Sequence, residues 1–335
     1  MICGELRCFN MSEKKVLKDS FGRIVTYLRL SITDRCNFRC FYCKPIKDFK
    51  YLPHSEMLSF EELYFLLATL KNHGIKKVRL TGGEPFVKHG FMDFLSEVTK
   101  IIPSVHITTN GYFLKNEIDT LIKIGIKSIN ISLDTLSPDK FVEITKVNAL
   151  DRVLKGIKAT ANTNITTKIN TVIMKKNINE ITTLISFANN LRIPIRFIEL
   201  MPISSEVRKE FVSEKTVKEI IKKEYKMNRE QLSFGIGPSI YYTVEKEGEK
   251  GIVGFISAIT HNFCESCDKI RITSDGKLRV CLASDEEVSL KKEIQKKDEK
   301  ELINAIRRAL DKKPEKHNMN IYEHKTDKAM FQIGG

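Results

Sequence analysis

Six of the eight cysteines in this 335-residue chain form two groups of three, Cys36-x3-Cys40-x2-Cys43 and Cys264-x2-Cys267-x13-Cys281. Thiols at such spacings suit metal binding better than a disulfide framework. Three thiolates hold three corners of a 4Fe–4S cube and leave the fourth iron open to a small molecule. Structural zinc would need a fourth ligand, commonly at a second short spacing. For the first group only His54 is near, eleven residues on, and that spacing is irregular. For the second, His261 stands three residues before Cys264, so zinc and iron–sulfur both stay open there. Cys3 and Cys8 are assigned no role.

Two further features bear on chemistry. In Gly82-Gly83-Glu84-Pro85 the glycines allow close backbone approach to a ligand and the proline fixes a turn, although a plain strand terminator would read the same. Cations also recur inside apolar runs: Arg29, Arg79, Lys168 and Arg196. Buried charges require partners, and a phosphate chain met by bidentate arginines is a suitable one. Arg29 and Ser31 lie two apart, as do Lys269 and Arg271, so extended backbone aims each pair one way.

These residues need a frame. From about Val25 to Met201, Val-, Ile- and Thr-rich runs alternate with amphipathic stretches. Strands are expected at 25–33, 76–82, 105–111, 128–134, 167–174 and 195–200. The Ser59–Glu62 capping box opens a helix that Gly74 closes, and helices are expected at 90–102, 116–124, 150–161 and 178–191. Repeated strand–helix units predict an α/β fold, a partial (β/α)6 TIM-like barrel. Polar or small residues close the strands: Thr81, Gly82 and Gly83; Thr108, Thr109 and Asn110; Ser132 and Asp134; Glu199 and Met201. At the carboxyl ends of parallel strands they would converge on one rim. Beyond Pro202 the pattern becomes a charged helix near 213–226, strands at 239–245 and 251–257, the second cysteine group and a Lys/Glu-rich helix near 295–312. The expected division is an N-terminal extension (1–20), a barrel (21–202) and a smaller α+β unit with a Gly-Gly tail (203–335).

Composition is that of a globular chain, with 41% hydrophobic and 29% charged residues. No apolar run reaches the roughly 20 residues of a membrane span, and the opening residues do not read as a signal peptide, so a cytoplasmic protein without a membrane partner is expected. Met11 is an alternative start. The net charge of +14 suits a polyanionic partner, though a Lys-rich solvated surface gives the same sum. Without tryptophan, nothing favours a base-stacking platform, and a nucleic-acid partner is not expected.

The run Asp34-Arg35-Cys36-Asn37-Phe38-Arg39-Cys40-Phe41-Tyr42-Cys43 resembles the signature loop of radical S-adenosylmethionine (SAM) enzymes, and Gly82–Pro85 resembles their SAM amino-group site. Phe263–Thr273, Asp275–Leu278, Cys281-Leu282 and the closing Ile333-Gly334-Gly335 resemble the molybdenum-cofactor GTP 3′,8-cyclase family. That resemblance runs from about Gly22 to Gly335. It implies two 4Fe–4S clusters, one on Cys36, Cys40 and Cys43 and one on Cys264, Cys267 and Cys281. SAM would meet Tyr42, Gly83, Ser132 and Met201. GTP would meet Arg29, Arg79, Thr108, Lys168, Lys269, Ile270 and Arg271, with guanine at the open iron of the second cluster. Arg271, Lys269 and the Gly334–Gly335 tail would be catalytic, Arg271 by assisting reduction of an aminyl radical.

The implied activity is that of a radical SAM lyase. A 5′-deoxyadenosyl radical takes the 3′ hydrogen of GTP, and the ribose carbon attacks C8 to give (8S)-3′,8-cyclo-7,8-dihydroguanosine 5′-triphosphate. An electron donor and a downstream cyclic pyranopterin monophosphate synthase are implied as partners, and a homodimer is allowed. Lys269 stands where the family usually has arginine, and Ile144–Asn148 lacks a Gly-Arg pair common in that loop. A peptide-modifying two-cluster enzyme and a non-catalytic iron–sulfur or nucleic-acid-binding protein are the rival readings. The open iron and Gly82–Pro85 oppose the second, and the interior cations would lack a purpose in the first.

Overall fold

The computed structural model describes residues 16–44, 50–201, 205–230, 237–317 and 329–332. Cys3, Cys8, Pro202, Gly334 and Gly335 lie outside them. Six strand–helix units form first: β1 (Tyr27–Ser31), α1 (Phe60–Asn72), β2 (Lys77–Thr81), α2 (Phe91–Ile101), β3 (Ser104–Thr109), α3 (Leu114–Ile124), β4 (Ser128–Ser132), α4 (Pro138–Thr145), α5 (Leu150–Ala161), β5 (Thr166–Ile173), α6 (Ile181–Asn190) and β6 (Ile195–Glu199). Then come α7 (Ser205–Arg208), α8 (Glu214–Glu224), β7 (Lys226–Glu230), β8 (Ile240–Lys246), β9 (Glu249–Ile256), β10 (Lys269–Ile272), β11 (Lys277–Arg279), β12 (Val288–Ser289), α9 (Lys291–Gln295) and α10 (Glu299–Leu310).

All twelve strands among the described residues join one sheet, in the order β12-β11-β10-β1-β2-β3-β4-β5-β6-β9-β8-β7. Strands β1 to β6 are parallel neighbours, as their apolar runs predict. The C-terminal part does more than pack against this barrel. Strand β9 pairs parallel to β6 and β10 pairs parallel to β1, so both open edges are extended by later residues. Among the described helices none is long and apolar enough to cross a membrane.

Alternation along each strand separates two faces. Leu28, Leu30, Val78, Leu80, Ile107, Ile129, Ile131, Ile169, Ile195 and Phe197 are buried in the core. Tyr27, Arg29, Arg79, His106, Lys168 and Arg196 fall on the opposite, concave face. Helix α1 carries the expected capping box: Ser59 accepts from Glu62 N, and the Glu62 carboxylate accepts from Ser59 N.

The helix expected near 295–312 is α10, started by the Asp298 side chain capping Glu301 N, and a left-handed φ of 54° at Lys297 separates it from the short α9 before it. Helix α4 was not anticipated, although Ser137 caps it and Pro138 occupies its first turn.

Candidate active site: two cysteine groups and a row of buried cations

The first cysteine loop leaves β1 and is held on three sides. Gly83 N donates to Thr33 O (2.7 Å) and Glu84 N to Arg35 O (2.8 Å), which lays Gly82-Gly83-Glu84-Pro85 directly against the loop. A Cβ on Gly83 would run into the Arg35 carbonyl, and one on Gly82 into Thr33 O. Chain–chain contact therefore requires glycine at both positions. The Glu84 carboxylate, fully buried, accepts from Asn110 N (2.7 Å), Thr109 Oγ1 (2.8 Å) and Phe86 N (3.3 Å). Burial raises its pKa to about 7 despite these donors.

Helix α4 forms the second wall. Arg39 N and Phe41 N donate to Thr145 O and Ile144 O, and Phe38 meets Phe141 edge-on at 5.8 Å. On the third side Lys44, buried, donates to Phe38 O and to the Tyr51 hydroxyl. Phe331, also buried, packs against Tyr51 and Lys44, and its backbone N–H donates to Cys43.

Burial pushes Cys36 up to about 11, with the Glu84 carboxylate adding to it. Burial, then the neighbouring thiols, raise Cys40 well above its ordinary value, and burial, then Cys36, push Cys43 up to about 12. Three thiolates are thus too costly here without positive charge between them, and cluster iron supplies that charge. Phe38 N (3.4 Å) and Asn110 Nδ2 (3.9 Å) approach Cys36 Sγ, giving the weak donors such a sulfur accepts. The residues present therefore fit a 4Fe–4S cluster. Among the described residues no three His, Cys, Asp or Glu converge on a single ion.

A small cavity beside Cys40 is lined by Phe38, Tyr42, Asn110, Ser132, Asp134 and residues of α4. Two of the expected SAM residues, Tyr42 and Ser132, thus meet beside a cluster cysteine. The Tyr42 hydroxyl donates to Asp134 Oδ2 (2.6 Å), and Val172 N donates to Asp134 Oδ1 (2.8 Å). Burial lifts Asp134 to about 6. Met201 joins Tyr42 around Ile144, Met174, Leu200 and Val207. Glu199 is not on this rim. It points outward, accepting from Glu214 N, Ile259 N, Thr260 N and Thr260 Oγ1, and so ties β6 to α8 and to the approach to the second cysteine group.

In the second group Cys264 begins a 3-10 turn, Cys267 ends it, and Cys281 follows β11. Burial raises the Cys281 thiol, with Cys267 and Cys264 adding to it and Arg271 opposing, so the three sulfurs act on one another. Arg279, fully buried, carries the Cys281 loop by binding Ser284 O, Asp285 and Glu287. His261, the candidate fourth ligand for zinc, has its Nδ1 at Thr260 Oγ1 (3.1 Å) and Glu214 (3.4 Å).

Between the two groups the concave face is cationic. Arg271, Arg29, Arg79 and His106 stand side by side in register on β10, β1, β2 and β3. Arg79 Nε donates to the Tyr27 hydroxyl (2.8 Å) and Nη1 to Ile107 O (3.0 Å). Arg196 Nε and Nη2 both reach Asn170 Oδ1. Burial lowers Arg271 to about 9, with Arg29 adding to it, and lowers Arg196 to about 10. Burial, then Arg196 and Arg79, bring Lys168 down to about 7. His106, between Ser104 and Ser128, is held neutral at about 3 by burial and then Arg79. Arg271 Nη1 and Thr108 Oγ1 are buried with no hydrogen-bond partner among the described residues. The groups acting most strongly on Arg271, Arg196 and Lys168 are other cations, tyrosines and thiols, not carboxylates. Among the described residues the groups acting on these three leave their positive charge unneutralised, which suits an anionic ligand.

Two expected contacts need restating. Lys269 pairs with Asp268 (3.1 Å), and Ile270 turns its side chain into the core, leaving only its backbone for the site. Tyr27 and Asn170, which orient Arg79 and Arg196, were missed, although each lies two residues from a cation already singled out and so shares its face.

Residues 30–188 match the Radical SAM superfamily and residues 193–319 match Molybdenum Cofactor Synthesis C. A GTP 3′,8-cyclase of Clostridium perfringens is 40% identical over 325 residues, covering 95% of this chain and 100% of that protein. One from Petrotoga mobilis is 40% identical over 324 residues (95% and 99%), and one from Listeria monocytogenes 36% over 336 (96% and 100%). Among solved structures, Streptococcus suis SuiB bound to its precursor peptide SuiA aligns with a TM-score of 0.60 at 15% identity, covering 92% of this chain and 76% of that one. At that identity the likeness concerns the fold.

Proposed function

This chain belongs to the GTP 3′,8-cyclase family of radical SAM enzymes, which serves molybdenum cofactor biosynthesis, and from that premise we propose how its residues divide the reaction. Cys36, Cys40 and Cys43 hold the SAM-binding 4Fe–4S cluster, and Cys264, Cys267 and Cys281 hold the second. When bound, the first cluster and SAM supply the radical that takes the 3′ hydrogen of GTP.

The chain's own residues position and shield. Tyr42, Gly83, Ser132 and Met201 border SAM, and the aromatic wall of Phe38 and Phe141 keeps water from the first cluster. Arg29, Arg79, Lys168 and Arg196 receive the triphosphate, with Thr108 as a hydroxyl donor. Arg271 and the backbone of Lys269 and Ile270 stand beside the second cluster, where the base is held, so ribose and C8 meet by orientation. Arg271 would assist reduction of the later aminyl radical through its charge and N–H donors, the electron coming from a separate donor, and the tail at Gly334–Gly335 completes the site. The product is (8S)-3′,8-cyclo-7,8-dihydroguanosine 5′-triphosphate. A cytoplasmic setting, an electron donor and a downstream enzyme that rearranges the cyclic nucleotide accompany this reading, as does the division near residue 202. The single observation that carries it is the in-register row of Arg271, Arg29 and Arg79, Arg79 buried and the other two half-buried, on strands that join the two cysteine triads.

The test is anaerobic turnover of reconstituted full chain with SAM, GTP and dithionite, read by mass spectrometry. Cyclised GTP should appear together with 5′-deoxyadenosine. Deoxyadenosine with untouched GTP would sink the substrate, and neither product from protein holding both clusters would sink the reaction. A finer check is Tyr42→Phe. Losing one buried donor to Asp134 should cost about 1–2 kcal/mol, read as a several-fold rise in KM for SAM with kcat nearly unchanged. An unchanged KM would remove Tyr42 from the SAM site.

A further inference from the structure

The N-terminal turn before β1 reaches the second cysteine group through buried charge. Asp19 closes the turn on itself, accepting from Phe21 N and Arg23 N (3.0 Å each) and pairing with Arg23 Nε at 2.6 Å. Arg23 Nη1 then donates to Cys264 O (2.8 Å), while its other contacts are Pro314 O and Glu315 O. From the far side Lys313, only 3% exposed, donates to Cys267 O (3.1 Å) and to Lys269 O (3.0 Å), with Asp19 Oδ2 at 3.9 Å. Ser20 Oγ bonds Asp311 O at the end of α10, so the two sources of the clamp are tied together.

We propose that Asp19, Arg23 and Lys313 are positioning residues for the second cluster, a clamp that grips the backbone of two of its ligands and the start of β10. This rests on Cys264, Cys267 and Cys281 being that cluster's ligands. A lysine buried to this degree carries a desolvation cost that a surface carbonyl would not justify. Its two carbonyl partners are the residue of one cysteine and the first residue of the strand that carries Arg271. Both cations bond backbone carbonyls of the cysteine loop, and both lie against the single Asp19 carboxylate. The clamp therefore sets the distance between cluster and substrate cations from residues 241 and 46 positions away from the cysteines they hold.

The experiment uses full-length holoprotein with both clusters, following the iron–sulfur absorbance as a chelator removes iron. Cys264→Ala first identifies the phase belonging to the second cluster. Lys313→Met and Arg23→Gln should release that phase about 10- to 100-fold faster, the range seen when a partner of a metal ligand is removed. The other phase, and deoxyadenosine formation without GTP, should stay unchanged, which also reports that the barrel is folded. Lys313→Arg should restore the slow release. Equal release in both variants, with Cys264→Ala lacking the phase, overturns the clamp alone. A Cys264→Ala protein that keeps both phases overturns the ligand assignment beneath it.

Discussion

Gly83→Ala is expected to abolish SAM cleavage and empty the first cluster site while leaving the second occupied. The added methyl group would lie on the Arg35 carbonyl oxygen, 2.5 Å from the Arg35 carbonyl carbon and 2.9 Å from Asp34 O. All are backbone atoms, and none can swing aside as a side-chain end would. The neighbouring bonds Gly83 N–Thr33 O and Glu84 N–Arg35 O hold both chains at this separation. Relief requires parting the Gly-Gly turn from the loop one residue before Cys36, at a cost of about 1–3 kcal/mol or more. The cost falls on the geometry of three thiolates that must share one cube. Iron should drop by about half, to roughly four per chain, with no deoxyadenosine formed. Gly248→Ala is the control for backbone strain alone: its φ is positive, at 86°, whereas its Cβ would meet nothing within 4 Å. Full iron and normal SAM cleavage in Gly83→Ala would refute this account of the turn.

What the sequence made legible follows from range. The six strands of the barrel carry their own period, and the structure places each within a few residues of its expected bounds. The cysteine spacings and the strand cations are equally local, and alternation alone puts Arg29 and Arg79 on one face. Helix α4 had a readable start at Ser137-Pro138 but only eight residues, too short for its period to stand out beside the loop that precedes it. Strand β10 was hidden for another reason. Lys-Ile-Arg-Ile is four residues long, and it becomes a strand by lying beside β1, some 240 positions earlier. The grip of Arg23 on Cys264 and the approach of Phe331 to Cys43 have no local signature at all. The same separation hid that strands of the C-terminal part, expected as a smaller unit, extend both edges of the sheet.

Lys168→Met should weaken GTP binding and stabilise the free protein at once. Lys168 is 2% exposed, and the groups that act on it most after burial are Arg196 and Arg79. Its folded pKa of about 7 lies below the ordinary 10.5, so folding disfavours its protonated form. Below about pH 7 the cost of burying that charge is present in full. It is relieved as pH rises from about 7 to 10.5, and the free chain should gain stability over that window, a gain Lys168→Met abolishes by being more stable throughout. A bound triphosphate reverses the balance by favouring the ammonium form. Binding at pH 8 should therefore take up a proton, seen calorimetrically as a heat that depends on the buffer, and affinity should fall as pH rises above about 7. Loss of one charge-assisted contact is worth about 1.5–3 kcal/mol, so KM for GTP should rise by roughly 10- to 150-fold. Deoxyadenosine formation without GTP should persist, since Lys168 stands among the substrate cations and not at the first cysteine loop. A methionine variant that is less stable than the parent, binds GTP as tightly and shows the same proton uptake would place the triphosphate elsewhere. The row of cations would then need another anion, because burial leaves it unstable without one.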